Sequence, residues 1–431
     1  MHFVMKKFIQ TQLANKARRF LEQHKPIVIG ITGSVGKTST RHAIACVLSA
    51  KYRIATSMEN YNNEFGLPLS ILGAKSPGKN PFGWMKILLT SPKQIADVYI
   101  LEYGIDHPGD MDYLCSIARP SITVMTALSP VHVEFFPSIQ ELGEEKAKLI
   151  AAVPSDGLVV LNADDARVVG LGVHAIAPIM TYGFRESADI RATDYTVETR
   201  SDFSFKPGEQ FSEIHVNVKT EEEEAIAINL KNHLGKSAVS SVLAAIAIAK
   251  HLGLSWDEIL SKLDYIKHEP GRLNPIAGIK GSLILDSSYN AAPASMMSAL
   301  NVLAEFAPVE EARRIAVFGH MAELGSQTES EHRMIGMRAA EICDRIITVG
   351  EMAHHIRHGA IDAGFPEEHL EQFETPEEAG RWLDANVKKG DIVLVKGSQS
   401  ARMEKVVKDI MAEPLRAEEL LVRQTGKWLN T

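Results

Sequence analysis

"PIVIGITGSVGKTST", residues 26–40, places an apolar stretch directly before a glycine-containing loop. A β-branched apolar run of this length predicts a buried strand. In the loop, glycines allow backbone N–H groups to converge on phosphate oxygens, a lysine adds positive charge, and a threonine hydroxyl can reach a magnesium ion. The helix predicted after the loop adds its N-terminal dipole. The residues predicted to hold the phosphates of a nucleotide are Gly33, Ser34, Gly36, Lys37, Thr38 and Ser39.

The spacing of this loop is Gly-x-x-Gly-Lys-Thr, and Ile31 stands where the longer P-loop pattern has its first glycine. A plain tight turn is the alternative interpretation, but the position between a strand and a helix favours phosphate binding. Because kinases, motors, GTPases and ligases all hold nucleotides in this way, the loop alone leaves the reaction open.

Length and composition exclude several classes of protein. The 431 residues predict two or three globular domains, with 45% hydrophobic and 23% charged residues. A formal net charge of −8 argues against a nucleic-acid partner, because that binding depends on neutralising phosphates. No apolar run has the length of an integral membrane segment, and three widely spaced cysteines indicate neither disulfides nor a zinc site. We therefore expect a cytoplasmic protein.

The alternation of β-branched runs with longer helical stretches predicts an α/β fold. We expect an N-terminal amphipathic helix over 1–25, a central P-loop ATPase domain with a parallel sheet over 26–269, and a C-terminal Rossmann-like α/β domain over 270–431. Within the central domain, alternating residues in 184–230 predict antiparallel strands. The segment "HEPGRLNP", residues 268–275, contains two prolines and a glycine and is predicted to be an interdomain hinge.

The first 25 residues repeat apolar side chains at helical spacing, namely Val4, Phe8, Leu13, Ala17 and Phe20, with basic residues between them. Such a helix can lie on an anionic membrane surface. It can also pack against the next domain, which we favour because scattered basic residues are ordinary on a solvated helix face.

Other residues with possible chemical roles are ambiguous by themselves. Glu102 and His132 each follow an apolar strand, where α/β proteins bind ligands. A carboxylate there suits magnesium, although it is as often a structural partner, and a lone histidine is usually not a ligand. Lys146 has the local context of one charge on a helix face. His354 and His355 lack a carboxylate at ligand spacing, so we assign them no metal.

Many motifs in one order carry a resemblance to the Mur ligases over residues 26–410. They are "ITGSVGKTST", "NYNNEFGLPLSIL", "LEYGIDHPGDM", "HVEFF", "EEKAK", "LNADD", "PGRL", "DSSYNAAPASM", "HMAELG", "EHRMIG" and "VLVKGSQSARMEKVV". Within that family the chain looks most like the MurF branch, which adds D-alanyl-D-alanine to a UDP-muramoyl tripeptide. The resemblance implies an ATP-dependent amide ligase, in which a carboxylate attacks the γ-phosphate and an amine then attacks the acyl phosphate. Positioning and charge neutralisation are the protein's contribution.

The resemblance also implies a role for each matching residue. The implied catalytic group consists of Lys37, Glu102, His132 and Lys146. Thr38 and Glu102 match ligands of one Mg²⁺, and His132 matches a ligand of a second Mg²⁺. Lys146 matches a lysine that is carbamylated by carbon dioxide. Arg272 matches an arginine on the ATP phosphates, and Asp286 matches an aspartate on the ribose. The further implied contacts are His233 and Asn290 for ATP, Asn62 and Asn63 for the nucleotide-linked precursor, and Lys396 and Ser398 for the amine.

The chain departs from the MurF pattern at several places. Because the first strand begins near residue 26, we expect the domain that holds the UDP-sugar to be lacking. The segment "KNHLGKS", residues 231–237, retains His233 but lacks both family asparagines near the adenine. His320 and Gln399 stand where the family has aspartate and arginine, on the side that handles the amine.

Two alternatives follow from these departures. One is a ligase of the same superfamily that acts on an acid without UDP, of the pseudomurein, polyglutamate or cofactor type. The other is a P-loop NTP-binding regulator without catalysis, although retention of Glu102, His132 and Lys146 argues against it. In the favoured interpretation the partners are small molecules, a peptide or nucleotide-linked precursor and an amino acid or dipeptide, and the protein is a monomer.

Overall fold

The computed structural model describes residues 3–57, 61–90, 92, 95–129, 135–136, 138–200, 203, 205–206, 209–223, 225–307, 312–426 and 428. The first nine strands form one sheet. They are β1 Ile27–Thr32, β2 Ile54–Thr56, β3 Val98–Glu102, β4 Ile122–Met125, β5 Leu158–Asn162, β6 Ile179–Gly183, β7 Ile190–Thr199, β8 Ser212–Lys219 and β9 Ile226–Lys231. The helices of this part are α1 Phe3–His24, α2 Lys37–Leu48, α3 Gly66–Ile71, α4 Pro81–Leu89, α5 Asp110–Ile117, α6 Ile139–Ala151, α7 Ala166–Gly170, α8 Lys236–His251 and α9 Trp256–Leu263.

The first sheet has the strand order β2-β3-β1-β4-β5-β6-β7-β8-β9. β1 lies between β3 and β4 in its parallel part, and the near-continuous apolar sequence of β1 is buried because helices cover both faces. The last three strands pair antiparallel. The predicted α/β fold and the antiparallel end of the sheet are confirmed.

The loop after β1 is shaped by its contacts with the residues after β4. Gly33 has φ +140°, and a Cβ there would lie 2.0 Å from the Thr126 hydroxyl, so glycine is required by both conformation and space. The same hydroxyl donates to the carbonyl of Val35 at 2.6 Å. Since α2 begins at Lys37, the loop places a potential anion site at the free N–H groups of this helix.

The second sheet follows in the chain and has the order β10-β11-β15-β12-β13-β14. Its strands are β10 Asn274–Ala277, β11 Leu283–Ser287, β12 Arg314–Phe318, β13 Arg345–Val349, β14 Leu370–Phe373 and β15 Ile392–Lys396. Its helices are α10 Pro293–Glu305, α11 Thr328–Ile342, α12 His354–Asp362, α13 Pro376–Asn386, α14 Glu404–Ile410 and α15 Ala417–Leu420. All pairs are parallel except β10 with β11, so this part is also α/β.

The predicted hinge over 268–275 is too long at its C-terminal end. Asn274 and Pro275 belong to β10 and pair with Asp286 and Leu285 of β11. A proline is tolerated there because β10 is an edge strand. The connection between the sheets is therefore the segment 264–273, between α9 and β10, while the domain boundary at 269–270 stays a prediction.

The N-terminal helix α1 packs on the first part of the chain, as we favoured. Leu13, Ala17 and Phe20 are buried in a cluster with residues of α3, α4 and α5. Phe8, predicted on the same apolar face, is instead 59% exposed, and Ile9 is buried in its place. The register of the buried face is thus shifted relative to the prediction. No helix in the described part of the chain has both the length and the apolarity needed to cross a membrane.

Candidate active site

A cavity of about 930 Å³ lies between the two sheets, with walls from both. It contains most of the residues selected from the sequence: Ser34, Gly36, Lys37, Thr38, Ser39, Asn62, Asn63, Glu102, Lys146, His233, Arg272, Asn290, Lys396 and Ser398. These residues are far apart in the chain and meet because the carboxyl ends of β1, β3, β11 and β15 point toward this space. His132 lies outside the described residues.

The oxygens of Thr38 and Glu102 face each other at one wall, with Thr38 Oγ1 3.4 Å from Glu102 Oε2. A hydroxyl and a carboxylate are the hard oxygen donors that Mg²⁺ prefers, so this pair fits a magnesium ion. Glu102 is held by Arg41, whose Nε donates to Oε1 at 2.8 Å in a nearly fully buried ion pair. The sequence analysis missed Arg41, because nothing in its local sequence distinguishes it from other charges on α2.

The loop lysine is bound within its own loop. Lys37 Nζ donates to the Gly33 carbonyl at 2.7 Å, and burial lowers the pKa of Lys37, opposed by the nearby Glu102 carboxylate. The Ser34 hydroxyl bonds to the backbone of Ser129 at both its N–H and its carbonyl. Ser34 therefore fixes the loop, while Lys37 is free to exchange its carbonyl contact for a phosphate.

Lys146 is in α6, as predicted, but it is not a solvated surface charge. The helix begins after Ser138, which caps the N–H of Glu141, and it carries Lys146 to the cavity with only 2% of the residue exposed. Burial, and then the positive charge of Lys37, lower the pKa of Lys146 well below its ordinary value. The neighbouring Asp106 carboxylate, on the cavity wall and also missed from the sequence, acts in the opposite direction. A neutral buried amine is the form that reacts with carbon dioxide.

Glu145, next to Lys146, has a structural role. Its Oε1 accepts the N–H groups of Gly109 and Met111 at 2.9 and 3.0 Å, at the start of α5. The carboxylate therefore caps a helix and complements its dipole.

Arg272 connects the two walls of the cavity. Its Nη2 donates to Thr38 Oγ1 at 3.1 Å, and its guanidinium lies 4.0 Å from the ring centroid of Tyr289. Stacking on an aromatic face orients a guanidinium while its N–H groups remain available for phosphate oxygens.

The opposite wall carries Lys396 and Ser398 at the end of β15. Lys396 Nζ donates to Ser287 Oγ at 3.1 Å and to the carbonyl of Asn290 at 2.8 Å. Burial, and then the charge of Arg272, lower the pKa of Lys396 to about 7. The Ser398 hydroxyl contacts Ser400 at 3.1 Å, which places polar groups beside this amine.

One end of the cavity is lined by His233, His268 and apolar side chains of the first domain. The two imidazoles lie 4.6 Å apart between ring centroids, and His233 Nδ1 donates to the Lys231 carbonyl at 2.7 Å. Burial, then His233, lower the pKa of His268 to about 3. These flat, uncharged rings could stack on the planar base of a nucleotide. His268 was missed because it lay in the segment interpreted only as a hinge.

Asp286 does not line the cavity. It is fully buried, and its carboxylate accepts the N–H groups of Gly271 at 3.1 Å and Ser288 at 3.0 Å. Burial raises its pKa to about 6. In this arrangement Asp286 holds the backbone that carries Arg272, so its predicted contact with the ribose is not supported by the geometry. Gly33 is also absent from the residues that line the cavity, and its role is to allow the conformation of the loop.

Asn62 and Asn63 of "NYNNEFGLP" line the cavity. Asn63 Oδ1 accepts the N–H of Gly66 at 2.9 Å, at the beginning of α3. The Asn62 carbonyl accepts the N–H of Gly104, so this loop is pinned to the end of β3. Asn62 is the better placed of the two for a ligand, because the side chain of Asn63 already caps a helix.

A loop of the phosphate-binding type on one domain, with a second α/β domain that completes the cavity through Arg272 and Lys396, defines a two-domain protein of the nucleotide-binding class. The chain belongs to the Mur ligase family. Residues 31–249 match the Mur ligase middle domain, and residues 271–399 match the Mur ligase, glutamate ligase domain. The chain is thus an ATP-dependent enzyme that forms an amide bond.

Individual relatives agree with this assignment. The UDP-N-acetylmuramoyl-tripeptide–D-alanyl-D-alanine ligase of Bacillus subtilis is 27% identical over 94% of this chain and 80% of its own length. The enzyme of the same name from Escherichia coli is 29% identical over 88% of this chain and 76% of its own. Among solved structures, the MurF ligase of Thermotoga maritima in complex with ADP has a TM-score of 0.76 at 24% identity, over 93% of this chain and 83% of its own.

Proposed function

We propose that this ligase joins D-alanyl-D-alanine to the carboxylate of a UDP-muramoyl tripeptide. The proposal is supported by the names of the curated relatives, which extend over most of the chain. The observation that carries it is the convergence of Lys37, Lys146 and Lys396 on one cavity between a phosphate loop and a second domain. Such an arrangement would accommodate a phosphate donor, an acid and an amine in one space.

The first step is phosphoryl transfer to the carboxylate. The loop N–H groups, Lys37 and Arg272 bind the phosphates and neutralise charge as the γ-phosphoryl group moves. Thr38 and Glu102 would hold a magnesium ion, which supplies further charge neutralisation between the phosphates. Arg41 keeps the Glu102 carboxylate oriented toward this position.

Lys146 contributes to the same step as a carbamate in this proposal. Its depressed pKa favours the neutral, nucleophilic amine, and addition of carbon dioxide with loss of one proton to solvent would convert it into an anionic oxygen donor. That group, with His132, would hold a second magnesium ion near the acyl phosphate. Two ions of this kind fit a site where nucleotide, acid and acyl phosphate all carry negative charge.

The second step is attack of the neutral amine on the acyl carbon, which forms the C–N bond, breaks the bond to the phosphate oxygen, and releases inorganic phosphate and a proton. With a pKa of about 7, Lys396 is largely neutral above that pH and therefore does not repel the substrate's ammonium group, which loses a proton before it attacks. Its bonds to Ser287 and to the carbonyl of Asn290 fix it beside Ser398. We place the amine substrate against this wall.

The proposal is tested by incubating the purified chain with MgATP, the UDP-muramoyl tripeptide and D-alanyl-D-alanine. ADP release that requires both substrates, with a product mass equal to their sum less water, is the expected result. Omitting either substrate is the control. ADP release with the tripeptide replaced by an acid without UDP, and none with the UDP-linked acid, would overturn the assignment of the substrate.

A second candidate is a peptide ligase acting on an acid without UDP. His320, which bonds through Nε2 to Ser400 at 3.0 Å where the family has an aspartate, lies on the amine side and bears on the choice of amine rather than of acid. The pseudomurein peptide ligase type C of Methanothermus fervidus shares the fold, with a TM-score of 0.62 at 19% identity. The same assay with UDP-free peptide acids distinguishes the two candidates.

We place this reaction in the cytoplasm. All three cysteines are free, which fits a reducing compartment. The monomeric state stays a prediction and is measured by sedimentation.

A further inference from the structure

Three histidines form a compact cluster on α12, away from the residues assigned to catalysis. One nitrogen each of His354, His355 and His358 lies within 4.8 Å of the others. The ring centroids of His354 and His355 are 3.9 Å apart, and those of His354 and His358 are 5.2 Å apart. From the sequence no metal was assigned to this segment, because His354 and His355 lack a carboxylate at ligand spacing and His358 was not considered with them.

The hydrogen bonds of the cluster leave ligand atoms available. His354 Nδ1 contacts the Glu351 carbonyl, which can only accept, so this nitrogen carries the proton and Nε2 has a free lone pair. A metal-bound histidine usually donates its second N–H to such a carbonyl. Nδ1 of His355 is buried and has no hydrogen-bond partner among the described residues. By contrast, the nearby His332 uses both nitrogens, toward Thr328 and Met321.

The charged groups around His355 act on its pKa in both directions. Burial, followed by the positive potential of His354, lowers the pKa of His355, while Glu329 acts in the opposite direction. His358 and then Arg333 also lower this pKa, and Arg333 is paired with Glu329 at 2.9 Å and with Asp362. Neutral imidazole is the protonation state that binds metal.

The helix that carries the cluster is rigidly seated. α12 packs so closely on α11 that a Cβ on Gly336 would lie 1.9 Å from the carbonyl oxygen of Ile356. Backbone contact of this kind fixes the positions from which the three imidazoles project, which reduces the ordering cost of binding an ion.

We propose that His354, His355 and His358 bind one divalent transition-metal ion of the zinc class. Three imidazoles match the ligand preference of zinc and leave a fourth position open for water, whereas they are poor ligands for the magnesium used in catalysis. The cluster is also connected to the cavity. His332, whose ring centroid is 6.4 Å from that of His355, accepts the N–H of Met321, directly before the cavity-lining residues Ala322 and Glu323.

Zinc binding to the full chain is measured by calorimetry with Mg²⁺ and ADP in excess, so that the catalytic site is already occupied. Wild type is expected to bind one equivalent of Zn²⁺. The double variant His354→Ala, His358→Ala is expected to bind it at least about tenfold more weakly, because a single remaining imidazole cannot hold the ion. The matched control is His369→Ala, an exposed histidine of the same domain outside the cluster, which should keep wild-type binding.

Thermal unfolding supplies an independent readout. Zinc should raise the Tm of wild type and of His369→Ala but not that of the double variant, since a ligand stabilises only the folded state that binds it. Equal Tm values without zinc would show that the double variant is folded. Absence of zinc binding by wild type, or equal stoichiometry and affinity in the double variant, would overturn the proposal.

Discussion

Lys146 shows how burial changes what a residue can do. On a solvated helix face it would be a permanent cation, but in the cavity its pKa is depressed by burial and by Lys37. The amine can then accept carbon dioxide and become an anion, which reverses the sign of its charge beside the phosphates. Its neighbour Lys148, also on α6, instead forms ordinary ion pairs with Asp112 and Glu145.

Replacing Lys146 with alanine should lower kcat by about 10²-fold or more, the scale for losing one preorganised electrostatic group from a buried site. Added short-chain carboxylates should restore part of the activity, because they can occupy the vacated space and supply the missing anion. Lys148→Ala is the matched control and should retain activity. Full activity of Lys146→Ala without added carboxylate would contradict the carbamate.

Arg41 is a positioning residue that acts through Glu102. Arg41→Gln leaves the Glu102 carboxylate buried without its cation, which should reduce the free energy of unfolding by about 3 kcal/mol. Millimolar Mg²⁺ should recover part of this loss, because the ion can replace the missing positive charge. Urea unfolding with and without Mg²⁺ measures both effects.

Arg53→Gln is the comparison for Arg41, since Arg53 pairs with Asp97 at the exposed surface. Solvent screening leaves such a pair with little influence on stability, so this variant should unfold nearly as wild type does, at either Mg²⁺ concentration. If the two variants lost stability equally, Arg41 would have no special relation to Glu102.

At the scale of elements, α1 is tied to α4 by a polar contact as well as by apolar packing. Lys16 Nζ donates to the carbonyls of Ile87 and Leu88 at 2.7 and 2.9 Å and also contacts the carbonyl of Thr90. These are the last carbonyls of α4, which lack partners within the helix. A cation at this end also complements the helix dipole.

Lys16→Met should therefore reduce the free energy of unfolding by about 2 kcal/mol, in the range for hydrogen bonds to a charged group. Methionine keeps most of the apolar length, so the loss reports the ammonium contacts. Lys7→Met removes an exposed lysine from the same helix and should have little effect. Denaturant titration of both variants tests this, and equal midpoints would show that the Lys16 contacts add nothing to stability.

The secondary-structure elements also differ in how far they could be predicted from the sequence. The strands β1, β3 and β4 were predicted because each is a buried apolar run whose composition already specifies its environment. The short strands β2 and β14 were missed, because "IAT" and "LEQF" become strands only through pairing with β3 and β13. Likewise, the loop glycines predicted phosphate binding locally, whereas Arg41 and His268 acquire their positions only from tertiary contacts.

At the scale of the whole molecule, basic side chains from both domains are brought close together in the cavity, where a nucleotide would be attracted to them. Lys37, Lys146, Arg272 and Lys396 converge on one cavity from both domains. Their mutual repulsion is visible in the pKa values, because Arg272 contributes to lowering the pKa of both Lys37 and Lys396. A triphosphate would be attracted both to Lys37 of the first domain and to Arg272 of the second, so we expect ATP to favour a closed arrangement of the two domains.

Arg272→Ala should weaken this coupling, because Arg272 is the cation that reaches across to Thr38. A non-hydrolysable ATP analogue with Mg²⁺ should raise the Tm of wild type, by an amount that corresponds to about 2.7 kcal/mol at a hundredfold excess over Kd. In Arg272→Ala the analogue should bind roughly tenfold or more weakly, as expected for a lost charge-assisted bond, and its effect on Tm should fall accordingly.

X-ray scattering should show a larger radius of gyration for this variant than for wild type when both are saturated with the analogue. The exposed Arg381→Ala, on α13 of the same domain, is the matched control. Wild-type affinity and compaction in Arg272→Ala would mean that closure depends on the linker and not on charge across the cavity.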